Sequence, residues 1–239
     1  MERRGRLAVC TRYVGRASAA LGLSVAAPAA AQFAGSLGIE SDYRLRGYSL
    51  TNDQPALTAQ ISYDHRSGAY LNVSGLAEIG RERRFLGVIA AAGYAKRVNE
   101  RLTVDGGVLR YQLRGASGGR PGFEYTEVYA GAYAGRLSGR ISYSPDYRRS
   151  GLSTVYAELE AGVEPASGWR LSGHLGLLTY LNSTYGYGAG AAQTDWRIAA
   201  ARQLGRVELH TAVSGGAPSS YYGYRVHKTA VTAGASVSF

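Results

Sequence analysis

Over most of this chain, apolar and polar side chains alternate one for one, and that alternation constrains the fold more than any other feature. Ser153 to Glu164 is the clearest case. Val155, Ala157, Leu159, Ala161 and Val163 share one parity, and Tyr156, Glu158, Glu160 and Glu164 share the other. Successive side chains of a strand point to opposite faces, so this segment is apolar on one side and charged on the other. Residues 55–65 repeat it, with Leu57, Ala59, Ile61 and Tyr63 against Thr58, Gln60, Ser62 and Asp64. In 169–178, Trp169, Leu171, Leu175 and Leu177 oppose Arg170, Ser172 and His174. No stretch approaches the roughly 18 apolar residues of a membrane-spanning helix.

The pattern predicts about twelve strands: 36–49, 55–65, 69–79, 85–97, 101–113, 123–134, 137–144, 152–164, 169–181, 194–204, 206–214 and 228–239. The facing of 85–97, 101–113 and 123–134 stays open, because small or aromatic residues occupy both parities. Every second gap is tight: 65–68, 99–100, 135–136, 165–168 and 205. The gaps at 80–84, 114–122, 145–151, 182–193 and 215–227 are longer. Short connections alternating with long ones are the signature of an all-β, antiparallel up-and-down barrel. The connection 50–54 is expected to be an unusually short one at the long-loop end.

A soluble two-layer sandwich would alternate too. Two features favour a transmembrane barrel. Strands of about 9–11 residues cross a bilayer when tilted. The chain also ends on an amphipathic segment in which Val231, Ala233, Ala235, Val237 and the terminal Phe239 share one face. That ending resembles the last strand of bacterial outer-membrane proteins, where such a terminus is an assembly signal for the barrel-assembly machinery.

The first 31 residues read as an address. Five arginines precede residue 17, a modest apolar run covers 17–27, and Pro28 and Ala29-Ala30-Ala31 follow. This is the layout of a secretory signal peptide, with cleavage expected before Gln32 and a barrel over 32–239. Leu7-Ala8-Val9-Cys10 lacks the preceding apolar run of a lipoprotein signal. Cys10 is the only cysteine, so a chain starting at Gln32 has no thiol chemistry or disulfide. The formal charge is +10 overall and +6 over 32–239, from 22 basic and 16 acidic residues. The basic residues are scattered among acids, which argues against nucleic acid as a partner.

Nothing in the sequence points to catalysis, a cofactor or a metal. His65, His174, His210 and His227 lie on separate segments without a ligand spacing, and no G-x-S-x-G elbow occurs. Gly118-Gly119 and Gly186–Gly190 read as loop glycines. Tyr180, Tyr185, Tyr187, Tyr221, Tyr222 and Tyr224 read as an interfacial aromatic girdle, or else as an external ligand platform. The charged pairs say more. Glu40, Asp42, Arg44 and Arg46 are expected as same-face neighbours on the first strand, about 6.6 Å apart. With Glu158, Glu160, Asp195 and Arg197, they are the candidates for the lumen face. Mixed charge there either braces the interior or lines a water path. The net positive charge biases such a path towards anions only if the arginines line it.

Residues 41–47, Ser-Asp-Tyr-Arg-Leu-Arg-Gly, are followed by Pro55-Ala56 and by the turn Tyr63-Asp64-His65-Arg66-Ser67-Gly68. This order resembles the opening of the TorF-type porin family, with Leu45 where that family usually has Phe. Residues 142–147 and Thr194-Asp195-Trp196 resemble its later segments. The resemblance implies a barrel and a pore in the bacterial outer membrane, and gives no substrate. The expectation is a porin for passive diffusion of small hydrophilic solutes. The alternative is a non-conducting structural or ligand-binding barrel that acts through its external loops. Outer-membrane lipid would surround either one.

Overall fold

The computed structural model describes residues 32–116, 122–148, 150–182, 191–216 and 229–239. Residues 1–31, expected as a signal peptide, five of the six clustered tyrosines, His227 and the glycine runs at 118–119 and 186–190 lie outside the described residues. The chain begins with β1 (Gln32–Glu40). Two short strands, β2 (Arg44–Leu45) and β3 (Tyr48–Ser49), follow. The remainder is β4 (Ala56–Asp64), β5 (Ala69–Glu78), β6 (Arg84–Arg97), β7 (Leu102–Leu113), β8 (Phe123–Ala134), β9 (Leu137–Ser144), β10 (Thr154–Val163), β11 (Trp169–Tyr180), β12 (Ala192–Leu204), β13 (Val207–Gly216) and β14 (Ala230–Ser238). Omitting β2 and β3, each strand pairs antiparallel with the next, and β14 pairs back onto β1. The result is a closed barrel of twelve strands.

Closure follows from the alternation. Among the described residues thirty large apolar side chains are exposed, including Ile198 at 64%, Leu175 at 63% and Val231 at 73%. An apolar exterior on that scale is foreign to a water-soluble monomer. A sheet clad in this way must bury its polar parity inside, and closing it leaves no unpaired edge. Near the short turns the outward face carries Phe33, Tyr94, Trp169 and Phe239, and near the opposite rim it carries Phe85 and Tyr143.

The inner wall has two halves. Strands β5 to β8 turn Leu76, Ile89, Leu109, Tyr111, Tyr125 and Tyr129 inward, forming most of the buried cluster. Strands β9 to β14 turn mostly charged and small polar side chains inward. This explains the open facing of residues 85–134: apolar and aromatic side chains occupy the inner parity there as well as the outer one. On β6 a bulge sets Gly87 opposite Leu76 and Phe85 opposite Ala77. Gly87 has φ +142°, and a Cβ there would lie 2.0 Å from the Gln112 carbonyl oxygen. Only glycine fits that bulge.

Two expectations are corrected. The first strand does not run to residue 49. The chain leaves the wall after Glu40, and β2 and β3 form a hairpin folded into the lumen. The connection is therefore not the short 50–54 but all of 41–55. Asp42, Arg44 and Arg46 are not same-face neighbours on a wall strand, and Tyr43 is buried rather than outward. The physical cause is a set of polar anchors. Asp42 Oδ1 accepts hydrogen bonds from the hydroxyls of Ser49 at 2.5 Å and Thr51 at 2.8 Å. The Tyr43 amide donates to Thr51 Oγ1 at 3.1 Å. The second correction concerns Tyr180, which lies on the inward parity of β11 and is 3% exposed, so it is not part of an outer girdle.

Candidate functional site

The inserted segment crosses the lumen and divides it. Arg46 sits at its tip with φ 50°, followed by Gly47 at φ 77°. A Cβ on Gly47 would come 3.1 Å from the Gly215 carbonyl oxygen and 3.3 Å from Asp195 Cβ. Glycine thus lets the tip lie against β12 and β13. On that side Tyr48 donates its hydroxyl to Gln193 Oε1 at 2.6 Å. On the far side Arg46 reaches β8: Nη1 and Nη2 donate to Glu127 Oε1 and Oε2, each at 2.8 Å. The guanidinium also lies 3.8 Å from the centre of the Tyr156 ring. A bidentate charge-assisted pair with an aromatic floor is among the more rigid polar contacts a protein makes.

On one side of Arg46 lies a polar chamber of about 100 Å³, between the segment and wall residues of β7 to β14. On the other side a separate space of about 10 Å³ is bounded by Tyr48, Tyr147 and Leu178. Arg46 borders both spaces and stands between them. At roughly 30 Å³ per water, the chamber holds a few solvent molecules and not a sugar.

Each candidate residue has a definite place. Glu158, Glu160, Asp195 and Arg197 line the chamber, together with Asp42, Arg44 and Arg46. Glu40 lies apart, 2% exposed, with Oε2 at 2.9 Å from His210 Nε2. Arg44 pairs with Asp42 at 3.1 Å and donates to the Gly47 carbonyl at 2.6 Å. His174 Nε2 lies 2.9 Å from Asp195 Oδ1, and the Tyr156 hydroxyl donates to Asp195 Oδ2 at 3.1 Å. Phe239 stands at the seam. Its amide donates to the Gly35 carbonyl at 3.0 Å and its carbonyl accepts from the Gly35 amide at 2.9 Å.

Several interior groups escaped the sequence reading. Glu127 sits between Tyr125 and Tyr129 on a parity that looked as apolar as its opposite. Arg140 alternates with Ser138, Ser142 and Ser144, and that signal was available. Its guanidinium donates to the Tyr133 hydroxyl at 3.0 Å and lies 3.9 Å from Asp105 and 3.8 Å from Glu158. Arg170 pairs with Glu208 at 2.5 Å. Tyr70 and Tyr129 share a hydrogen bond between their hydroxyls. Among the described residues no His, Cys, Asp and Glu side chains group as a metal would need.

An apolar-clad closed barrel with a charged interior and a segment folded into its lumen is a porin-like β-barrel. The sequence profile described as "Bacterial protein of unknown function (Gcw_chp)" matches residues 25–235, so the chain belongs to that family. No curated protein sequence matches it. Among solved structures it is similar to one titled "KdgM porin", at 12% identity and a TM-score of 0.53, covering 86% of this chain and 99% of that one. It is also similar to the NanC porin, at 13% identity and a TM-score of 0.54, covering 87% and 99%. At these identities the likeness is one of fold.

Proposed function

We propose that this protein is an outer-membrane porin that passes small hydrophilic solutes through a narrow, charge-lined lumen. The observation that carries the reading is the polar chamber enclosed by a barrel whose exterior is predominantly apolar. The resemblance of residues 41–47 to TorF-type porins, and the fold shared with the KdgM and NanC porins, support it. In this reading residues 1–31 are a cleaved leader, the barrel sits in the bacterial outer membrane, and Phe239 is read by the assembly machinery. Glu158, Glu160, Asp195 and Arg197 line the route, while Arg44 and Arg46 border it from the inserted segment. The protein performs no chemistry on its solute.

One observation favours a second reading, a non-conducting barrel. The Arg46–Glu127 bridge ties the inserted segment to the wall, and the space bordering Arg46 on the side away from the chamber is about 10 Å³. Planar-bilayer recording of the refolded protein separates the two. The porin reading expects discrete openings of small conductance. A folded barrel that inserts and passes no current removes it and leaves the plugged barrel. N-terminal sequencing of protein extracted from the membrane should begin at or near Gln32, and a retained Met1 would remove the leader from the reading.

A further inference from the structure

We propose that the lumen prefers cations to anions, so that its solutes are monovalent inorganic cations and small ammonium compounds, with Glu158 and Glu160 as the selectivity residues. The inference deepens the porin reading and rests on it for the route.

The overall charge points the other way, since residues 32–239 carry +6. The fold sorts that charge. Six buried carboxylates face inward: Glu40, Asp42, Glu78, Glu127, Asp195 and Glu208. Asp105, Glu158 and Glu160 add three. Against these nine stand six interior arginines, Arg44, Arg46, Arg140, Arg148, Arg170 and Arg197. The histidines are His174 and His210. Among the described residues, six minus nine leaves −3 with both histidines neutral. Eight minus nine still leaves −1 with both charged. The other described charges, twelve basic and seven acidic, sum to +5 and lie on turns, rims and the outer face, as at Arg66, Arg97, Arg101, Arg136 and Arg206. Charges there are screened within about 8 Å at physiological salt. Charges inside a low-dielectric wall are focused along the path.

The pairing geometry distinguishes the interior groups. Arg46, Arg44 and Arg170 are held by Glu127, Asp42 and Glu208 at 2.8, 3.1 and 2.5 Å. These arginines are committed and offer an anion little. Glu158 differs. It borders the chamber and makes no hydrogen bond among the described residues. The cation within 4 Å of it is Arg140, at 3.8 Å, a guanidinium it shares with Asp105. Glu160, two residues on and on the same face, lies 3.9 Å from Arg197 and 3.4 Å from His174. Two carboxylates two residues apart on the chamber wall attract a mobile cation.

The test has two arms. In a planar bilayer under a potassium chloride gradient, the wild-type reversal potential should show potassium favoured over chloride. Glu158→Gln plus Glu160→Gln should reduce the permeability ratio by at least about twofold. Arg81→Gln plus Arg83→Gln, outside the lumen, should leave it unchanged. In the second arm, membrane-extracted protein carries Cys10→Ser and Ser142→Cys, the latter a chamber-lining position. The ratio of its reaction rates with a cationic and an anionic methanethiosulfonate should fall at least about threefold when Glu158 and Glu160 are neutralised. A chloride preference, or ratios unmoved by the glutamate changes, overturns the proposal and leaves the porin reading intact. No current with a rate ratio that still depends on the glutamates removes conduction and keeps the preference. No current and no labelling by either reagent removes both.

Discussion

At Leu159 and Glu158, neighbours in sequence, the two faces of the wall can be compared directly. Leu159 is 52% exposed on the outside, while Glu158 borders the chamber. Leu159→Arg should cost about 2–4 kcal/mol if the residue lies near the bilayer midplane. Glu158→Gln should be far milder, because it keeps volume and polarity in a wet interior. Urea titrations of refolding into vesicles measure both, and equal effects would contradict the facing. The parity of such residues was legible because one face had to be apolar and the other did not. What alternation cannot show is the partner of an inward charge. The Arg46–Glu127 pair joins residues 81 positions apart, and no local pattern encodes it. Breaking one partner of a buried pair typically costs 3–5 kcal/mol. Water in the adjacent chamber should bring the cost of Glu127→Gln to about 2–3 kcal/mol by the same reasoning. The double change Arg46→Met plus Glu127→Leu should recover part of it in the same titration. Additive losses would show that the pair is not coupled.

The twelve wall strands were readable as elements because turn signals bound each of them and most carry their own alternation; 85–97, 101–113 and 123–134 were bounded without a clear facing. The hairpin at 41–55 was not. Its residues continue the alternation of β1, with Asp42, Arg44 and Arg46 against Tyr43 and Leu45, so periodicity gives it the same appearance as more wall. A lumen segment packed between an aromatic half and a charged half also needs both kinds of side chain, and period two serves it equally well. The distinguishing marks are conformational. Arg46, Asn52 and Asp53 have φ of 50°, 56° and 57°, values a wall strand cannot contain. Gly47 and the Asn52-Asp53 pair are the faint trace of this in the sequence. Because the hairpin pairs with itself rather than with the wall, the twelve-strand register does not depend on it. Replacing residues 42–53 by a short Asn-Gly turn should leave the barrel folded, as judged by β-sheet circular dichroism. Single-channel conductance should rise several-fold, since the segment that divides the lumen is removed. An unchanged conductance would place the constriction elsewhere.

At the scale of the whole molecule, closure is the demanding step, because β1 and β14 are the most distant strands in sequence. Their pairing is also the shortest in the wall, five residue pairs from Ser36–Ser238 to Glu40–Gly234, against nine between β1 and β4. Phe239 lengthens that seam. Its two backbone hydrogen bonds to Gly35 extend the ladder past Ser238, and its ring lies over the glycine. A Cβ on Gly35 would fall 2.4 Å from the ring atom Cε2 of Phe239. The terminal aromatic and the bare backbone opposite it therefore form one fitted contact at the point where the sheet becomes a barrel. Loop-closure entropy opposes this step more than any pairing of sequence neighbours, so a contact here should weigh on assembly more than its area suggests. Gly35→Val should push the ring away, and deletion of Phe239 should remove both it and the two hydrogen bonds. Each change should lower the fraction of heat-modifiable, folded barrel on unboiled gels, the deletion more than the valine. Phe239→Tyr keeps the ring over Gly35 and should fold like the wild type. If Gly35→Val assembles normally while the deletion fails, Phe239 acts through recognition by the assembly machinery and not through the seam.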